Sequence, residues 1–269
     1  MENLYAVIMG LVEGLTEFVP ISSTGHLILA GRWLGFEQHV GEEVAKAFEV
    51  FIQLGAVLAV VVAYPGRFAG LLRLRDSRGF SGLRGIGLLV LTTLPAALLG
   101  LAAHKFIKQR LFHPVTVAVG LFAGGVWILA VEWVRPRARK EGLDAVAWND
   151  ALAVGLFQCL SLWPGVSRAA ATILGGMMSG LDRKTATEYS FFAAAVVIPA
   201  AALFDLYKAL PHLSADHVPL FAIGTMVSFA AGWAAVKFLI RFLSRHTLTA
   251  FGWYRLVVAL LVLWRINGL

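Results

Sequence analysis

Glu13 and Glu17 stand at i and i+4, a spacing that places both carboxylates on one helical face. Pro20, Ile21, Ser22, Ser23, Thr24 and Gly25 follow directly, and then His26. A second cluster lies far along the chain: Pro164, Gly165, Ser167, Arg168 and Thr172. Together these are two carboxylates, one imidazole, one guanidinium and several hydroxyls, a set that suits phosphate chemistry. Free N–H groups and the positive dipole end at a helix start favour an anion. Arginine matches phosphate oxygens as a fork. A serine hydroxyl becomes a nucleophile when a carboxylate or imidazole base is close. Two neighbouring carboxylates can hold a divalent cation against phosphate oxygens. Blander readings stand beside these. The Glu13–Glu17 pair would also serve a transporter as an ion or proton relay, and the hydroxyls of Ser22, Ser23 and Thr24 would also satisfy freed backbone groups.

These residues sit in an apolar chain. Of 269 residues, 59% are hydrophobic and only 14% charged, against roughly 25% charged in an ordinary soluble domain. That excludes a soluble globular enzyme, a disordered chain and a nucleic-acid-binding domain. One cysteine excludes a disulfide scaffold and a Cys-rich metal site. The class left is an all-α integral membrane protein. A crossing helix needs about 20 residues. Ile86–Ala103, Leu111–Val131 and Val218–Val236 hold no Asp, Glu, Lys or Arg; Val50–Gly66 and Tyr189–Phe204 are slightly shorter; Thr247–Trp264 contains Arg255. Six spans are expected. The start, Met1 to Tyr5, has no positive segment, and Glu13 and Glu17 interrupt the apolar run behind it, so no cleaved signal peptide is expected.

The two clusters interrupt two further apolar regions, about 3–34 and 151–181. Proline and glycine break helices, and irregular backbone cannot face lipid. Each region therefore reads as a re-entrant helical hairpin whose break is buried or lines a wet cavity. The regions also resemble each other. Gly10–Phe18 lies against Gly155–Trp163, and, after a one-residue gap, Pro20-Ile21-Ser22-Ser23 lies against Pro164-Gly165-Val166-Ser167. The chain thus divides into two repeats, 1–134 and 135–269, each a hairpin plus three spans. Basic residues gather in Arg67–Arg84, in Arg135–Lys140 and at Lys237, Arg241 and Arg245. Placing those loops in the cytoplasm makes the second repeat upside down relative to the first, so the hairpins enter from opposite sides and meet near the midplane. Lys105, Lys108 and Arg110 fall on the outer side and count against this scheme, but they are outnumbered.

Other polar residues carry weaker expectations. Glu49 and Gln53 share a face and are candidates to line the site. Arg183 and Glu188 are expected to pair at the boundary, Arg255 to snorkel or pair, and Cys159 to pack as a small residue. The histidines other than His26 are expected near helix ends.

The stretch Glu13-Gly-Leu-Thr-Glu17-Phe-Val-Pro20-Ile-Ser-Ser23-Thr-Gly-His26 resembles the first motif of the undecaprenyl pyrophosphate phosphatases, the bacitracin-resistance membrane phosphatases. Pro164-Gly165-Val-Ser167-Arg168-Ala-Ala-Ala-Thr172 is similar to the second, with Ala169-Ala170 where that family generally has Ser-Gly. The resemblance covers essentially the whole chain. It implies hydrolysis of undecaprenyl pyrophosphate to undecaprenyl phosphate and inorganic phosphate, which recycles the lipid carrier for cell-wall synthesis. It also implies a magnesium or calcium ion, a bacterial inner-membrane location and a site opening to the periplasmic side. Carried over by position, Glu17, Ser23, His26 and Arg168 are catalytic, Ser22, Thr24, Ser167 and Thr172 bind substrate, and Glu13 and Glu17 hold the metal. Ser23 would attack the terminal phosphorus with His26 assisting proton transfer; in the rival mechanism Glu17 or His26 activates water. The expected partners are the lipid substrate and the surrounding bilayer, not nucleic acid, and a homodimer is compatible with the sequence. A lipid flippase or transporter on the same architecture is the alternative.

Overall fold

The computed structural model describes residues 2–75, 78–111 and 113–267. Met1, expected to begin the mature chain, and the side chains of His104 and Lys108, expected near the outer boundary, lie outside the described ones. The described residues form α1 (Glu2–Thr16), α2 (Ser23–Leu34), α3 (Phe36–Val40), α4 (Glu42–Ala63), α5 (Pro65–Leu71), α6 (Gly82–Ala102) and α7 (His104–Arg110). They continue as α8 (Pro114–Val134), α9 (Trp148–Gln158), α10 (Arg168–Ser179), α11 (Arg183–Ala209), α12 (Val218–Leu243) and α13 (Thr249–Asn267). Among them there is no strand, only one isolated parallel bridge between Lys140 and Leu181.

Among the described residues five helices are long and apolar enough to cross a membrane: Glu42–Ala63, Gly82–Ala102, Pro114–Val134, Arg183–His212 and Ala215–Leu243. Large apolar side chains such as Leu58, Leu98, Phe122, Met226 and Leu260 point outward from the bundle. The chain is a multi-pass membrane protein. The sixth expected span is the 19-residue α13, which is not among these five and carries Arg255.

Helices in lipid gain little by hiding apolar surface from one another, so close approach and interhelical polar contacts carry the packing. The bundle shows both. A Cβ on Gly14 of α1 would lie 2.4 Å from the Ser228 carbonyl of α12, and one on Gly55 of α4 would lie 2.3 Å from the Thr225 carbonyl. α1 and α4 therefore press their backbones onto α12. α4 also packs on α11, α11 on α6 and α10, α9 on α6 and α10, and α8 on α13. Buried aromatic rings, including Phe18, Phe80, Tyr189, Phe191 and Phe192, fill the centre.

At one end, two buried carboxylates hold basic partners. Arg183 binds Glu132 through Nε at 2.9 Å and Nη2 at 2.6 Å, and the Leu248 N–H adds a bond to Glu132 at 2.8 Å. Lys140 binds both oxygens of Asp150. The expected Arg183–Glu188 pair does not form. Five residues along a helix place two side chains about 140° apart around it, and Glu188 instead accepts from the Tyr64 hydroxyl.

Candidate active site

Both interrupted regions are two helices separated by irregular backbone, and the two breaks share one geometry. α1 ends at Thr16, and α2 begins after Ser22, whose φ is +75° and whose hydroxyl accepts from the Gly25 N–H. α10 begins after Ser167, whose φ is +73° and whose hydroxyl accepts from the Ala170 N–H. Positive φ in a non-glycine residue costs on the order of 1–3 kcal/mol and persists only where the surroundings enforce it. α2 and α10 are each 12 residues long and end on a left-handed glycine, Gly35 and Gly180. One constant offset carries Gly10 onto Gly155, Glu13 onto Gln158, Ser22 onto Ser167, Ser23 onto Arg168 and Gly35 onto Gly180. No gap is needed: Ser22, rather than Ser23, is the counterpart of Ser167.

That register puts Ser23 and Arg168 each at the first position of a helix, and Glu17 joins them. The Ser23 hydroxyl donates to Glu17 Oε2 at 2.5 Å, and Arg168 Nη2 donates to Glu17 Oε1 at 3.0 Å. Arg168 is held in turn. Its Nη1 donates to the Ser190 carbonyl at 3.1 Å, and Phe18 packs its ring 6.0 Å from the guanidinium. Thr172, one turn into α10, donates to the Arg168 carbonyl at 2.8 Å and lies 2.6 Å from the Ser190 hydroxyl. A hydroxyl, a base within hydrogen-bond reach and a third group orienting the base are the pattern of an activated nucleophile. The two helix starts add free N–H groups and positive dipole ends on either side.

Two further polar groups are buried without a partner. Arg168 Nε has no hydrogen bond, and neither does Glu13, 0% exposed, through either carboxylate oxygen. An unsatisfied buried carboxylate is costly, and a cation or a ligand donor at that point would relieve it. Among the described residues no group of three or more His, Cys, Asp or Glu converges as a metal site. Glu13 and Glu17 are the carboxylates at this point that could hold a divalent cation.

The structure thus brings Glu17, Ser23, Arg168 and Thr172 into one network, with Ser22 and Ser167 as the caps that shape it. Thr24 is partly exposed and has no hydrogen bond within the network. His26 joins through Ser22: Nδ1 lies 2.8 Å from the Ser22 carbonyl, and Nε2 lies 2.8 Å from the Tyr254 hydroxyl. Its ring bonds neither Ser23 nor Glu17. Glu49 faces Gly31 of α2, and neither it nor Gln53 bonds the network.

Two structurally important residues escaped the motifs. Ser190 carries no sequence signal. Arg255 carried one, a charge inside an apolar span. It does not snorkel. It is 0% exposed and donates to four carbonyls: Gly165 at 2.7 Å, Pro20 and Gly120 at 3.1 Å, and Leu121 at 3.3 Å. One side chain thereby ties both breaks to α8. Gly124 leaves the room for it, since a Cβ there would lie 2.0 Å from Arg255 Nη2.

Fold and site define a helical membrane protein with a serine–carboxylate–guanidinium network between two helix starts. Residues 6–261 match the family described as Bacitracin resistance protein BacA, and the chain belongs to that family. It is 52% identical over 261 residues to an undecaprenyl-diphosphatase of Oleidesulfovibrio alaskensis, covering 97% of each chain. It is 53% identical over 264 residues to one of Maridesulfovibrio salexigens, covering 98% of each. To one of Nitrosomonas europaea it is 46% identical over 260 residues, covering 97% of this chain and 93% of that one.

Proposed function

We propose that this chain is an undecaprenyl-diphosphatase. It hydrolyses undecaprenyl diphosphate to undecaprenyl phosphate and inorganic phosphate, recycles the carrier for cell-wall synthesis and thereby supports bacitracin resistance. The observation that carries the chemistry is Glu17 holding the Ser23 hydroxyl on one oxygen and Arg168 on the other. Family membership and about 50% identity to proteins of that name support the substrate.

In this reading the diphosphate enters between the starts of α2 and α10. Arg168, Ser167 and Thr172 with the first-turn N–H groups hold its oxygens, and Ser22 and Thr24 flank them. Ser23 Oγ attacks the terminal phosphorus while its proton passes to Glu17 Oε2. The bond to the bridging oxygen breaks, and undecaprenyl phosphate leaves with that electron pair. Water then cleaves the phosphoserine and releases phosphate. Because Ser23 donates to Glu17 rather than to His26, Glu17 is the base for this step. Glu13 and Glu17 would hold a magnesium or calcium ion, which when bound supplies positive charge against the phosphate oxygens; the unpartnered Glu13 carboxylate supports this.

The finer architecture belongs to the same proposal. The shared offset, matching caps and matching packing of the two halves support two inverted repeats, each a re-entrant hairpin with three spans, α13 being the sixth. The basic loops support an inner-membrane orientation with the site open to the periplasm. A homodimer is compatible with this arrangement.

The test is phosphate release by purified protein from a polyprenyl diphosphate. Wild-type protein turns over, and Ser23→Ala lowers kcat by at least ~10²-fold. Near-wild-type turnover of Ser23→Ala would instead assign attack to water activated by Glu17. If wild type released no phosphate but moved the lipid across a vesicle bilayer, the hydrolase reading would give way to a flippase.

A further inference from the structure

α13 places a second residue at the site, beside Arg255. Tyr254 stacks on His26, with ring centroids 5.7 Å apart and planes 8° from parallel, and its hydroxyl lies 2.8 Å from His26 Nε2. The other ring nitrogen decides what that contact means. Nδ1 lies 2.8 Å from the Ser22 carbonyl. A carbonyl oxygen only accepts, so Nδ1 carries a proton. In the neutral ring Nε2 then bears the lone pair, and the Tyr254 hydroxyl is the donor that fills it. The Ser22 carbonyl is aimed by the positive-φ turn that starts α2, and it also accepts from the His26 backbone N–H at 3.2 Å. His26 is therefore held at both nitrogens, by the first break on one side and by the last helix on the other. Tyr254 is 44% exposed, so the pair stands at the surface of the bundle while Ser23 and Glu17 lie buried behind it.

We propose that Tyr254 is a positioning residue for the hydrolysis, holding His26 as the Nδ1-protonated tautomer and keeping its Nε2 pointed toward the bundle surface. When Nε2 takes up a proton it becomes a donor. The Tyr254 oxygen then accepts, and its own O–H turns away from the ring. No bond of Tyr254 breaks; only the direction of its O–H changes. The inference rests on the reading of His26 as part of a phosphatase site.

The experiment combines turnover with ring ¹⁵N spectra of histidine-labelled protein in detergent, for wild type, Tyr254→Phe, His26→Ala and the double variant. Phenylalanine keeps the stacked ring and removes only the hydroxyl. Expected are a wild-type His26 spectrum with Nδ1 protonated, a mixed-tautomer spectrum in Tyr254→Phe, and a kcat about tenfold lower with KM changed less than twofold. In the double variant, Tyr254→Phe should add no loss beyond His26→Ala. A wild-type spectrum with Nε2 protonated would overturn the proposal without any variant being made. Unchanged spectra and kcat in Tyr254→Phe, with His26→Ala inactive, would overturn it while leaving His26 in the site. An active His26→Ala would remove His26 from the site and the proposal with it.

Discussion

In the proposed mechanism the carboxylate that takes the serine proton must be aimed at it, and Arg168 on the second oxygen of Glu17 fixes that direction. Such a pair, 12% and 8% exposed at its side chains, gives little net stability, because both charges are desolvated. Its worth is geometric. Glu13 differs, since its two oxygens have no partner. If it helps hold the cation, Glu13→Gln should raise the magnesium concentration for half-maximal phosphate release at least tenfold; a titration superimposable on wild type would remove it from the ion's ligands. Ala169 and Ala170, where the family generally has Ser-Gly, pack in the buried apolar core. With alanine at both positions, Ser167 still caps α10 and Arg168 and Thr172 keep their hydrogen bonds.

Arg255 shows how much a helix outside the motifs contributes. Four carbonyls turn toward one guanidinium: Gly120 and Leu121 lie within α8, while Pro20 and Gly165 lie in the two breaks, outside any helix that could supply N–H partners. Lysine carries only three donors, on a single atom, and cannot span them. Arg255→Lys is expected to destabilise the protein by about 3 kcal/mol, since a buried unsatisfied polar group costs ~1–3 kcal/mol, and to lower kcat by spreading the breaks. Thermal unfolding in detergent together with turnover checks this, and wild-type values in both would show the clamp to be dispensable. Away from the membrane, Asp144 anchors a loop. It accepts from the Phe80 N–H at 2.7 Å and from Arg67 at 2.9 and 3.0 Å, and these hold its carboxyl below the usual range. A depressed folded-state pKa stabilises above the unfolded value of about 3.9, and that stability is lost as pH falls through the folded value. Asp144→Asn should therefore unfold more easily than wild type at pH 7, and the gap should close below about pH 4. A gap that stays constant across that range would show that the charge is not what anchors the loop.

Some of the helix packing repeats when the two proposed halves are exchanged, though the packing of α10 on α11 has no counterpart between α2 and α4. α1 lies on α12 as α9 lies on α6; α12 lies on α4 as α6 lies on α11; and α8 with α13, and α4 with α11, pair across the halves. The proposed arrangement, a duplicated unit whose copies face opposite ways, would account for the repeated pairs. It predicts sidedness. In intact cells carrying Cys159→Ser, a membrane-impermeant thiol reagent should label Ser214→Cys in the turn between α11 and α12 and leave Arg73→Cys, in the equivalent turn between α4 and α6, unlabelled until the membrane is opened. Labelling of both would contradict the inverted arrangement, and labelling of Arg73→Cys alone would contradict its orientation.

Hydropathy and charge, read along the chain, were enough for the membrane class and five of the spans, because lipid demands long uncharged helices and little else satisfies their backbone. The breaks were legible for a similar reason: proline, glycine and serine in apolar helices leave a local signature. Glu13, Glu17, Ser23 and Arg168 stood out because charge and hydroxyl are costly there. Contacts between distant segments left no such trace. That the Ser23 hydroxyl donates to Glu17 and not to His26, that Arg183 reaches Glu132, that Ser190 props Arg168, and that α13 supplies Arg255 and Tyr254 all depend on which helices pack side by side. Packing in lipid turns on close backbone approach and directed hydrogen bonds, and those are set by the folded bundle as a whole.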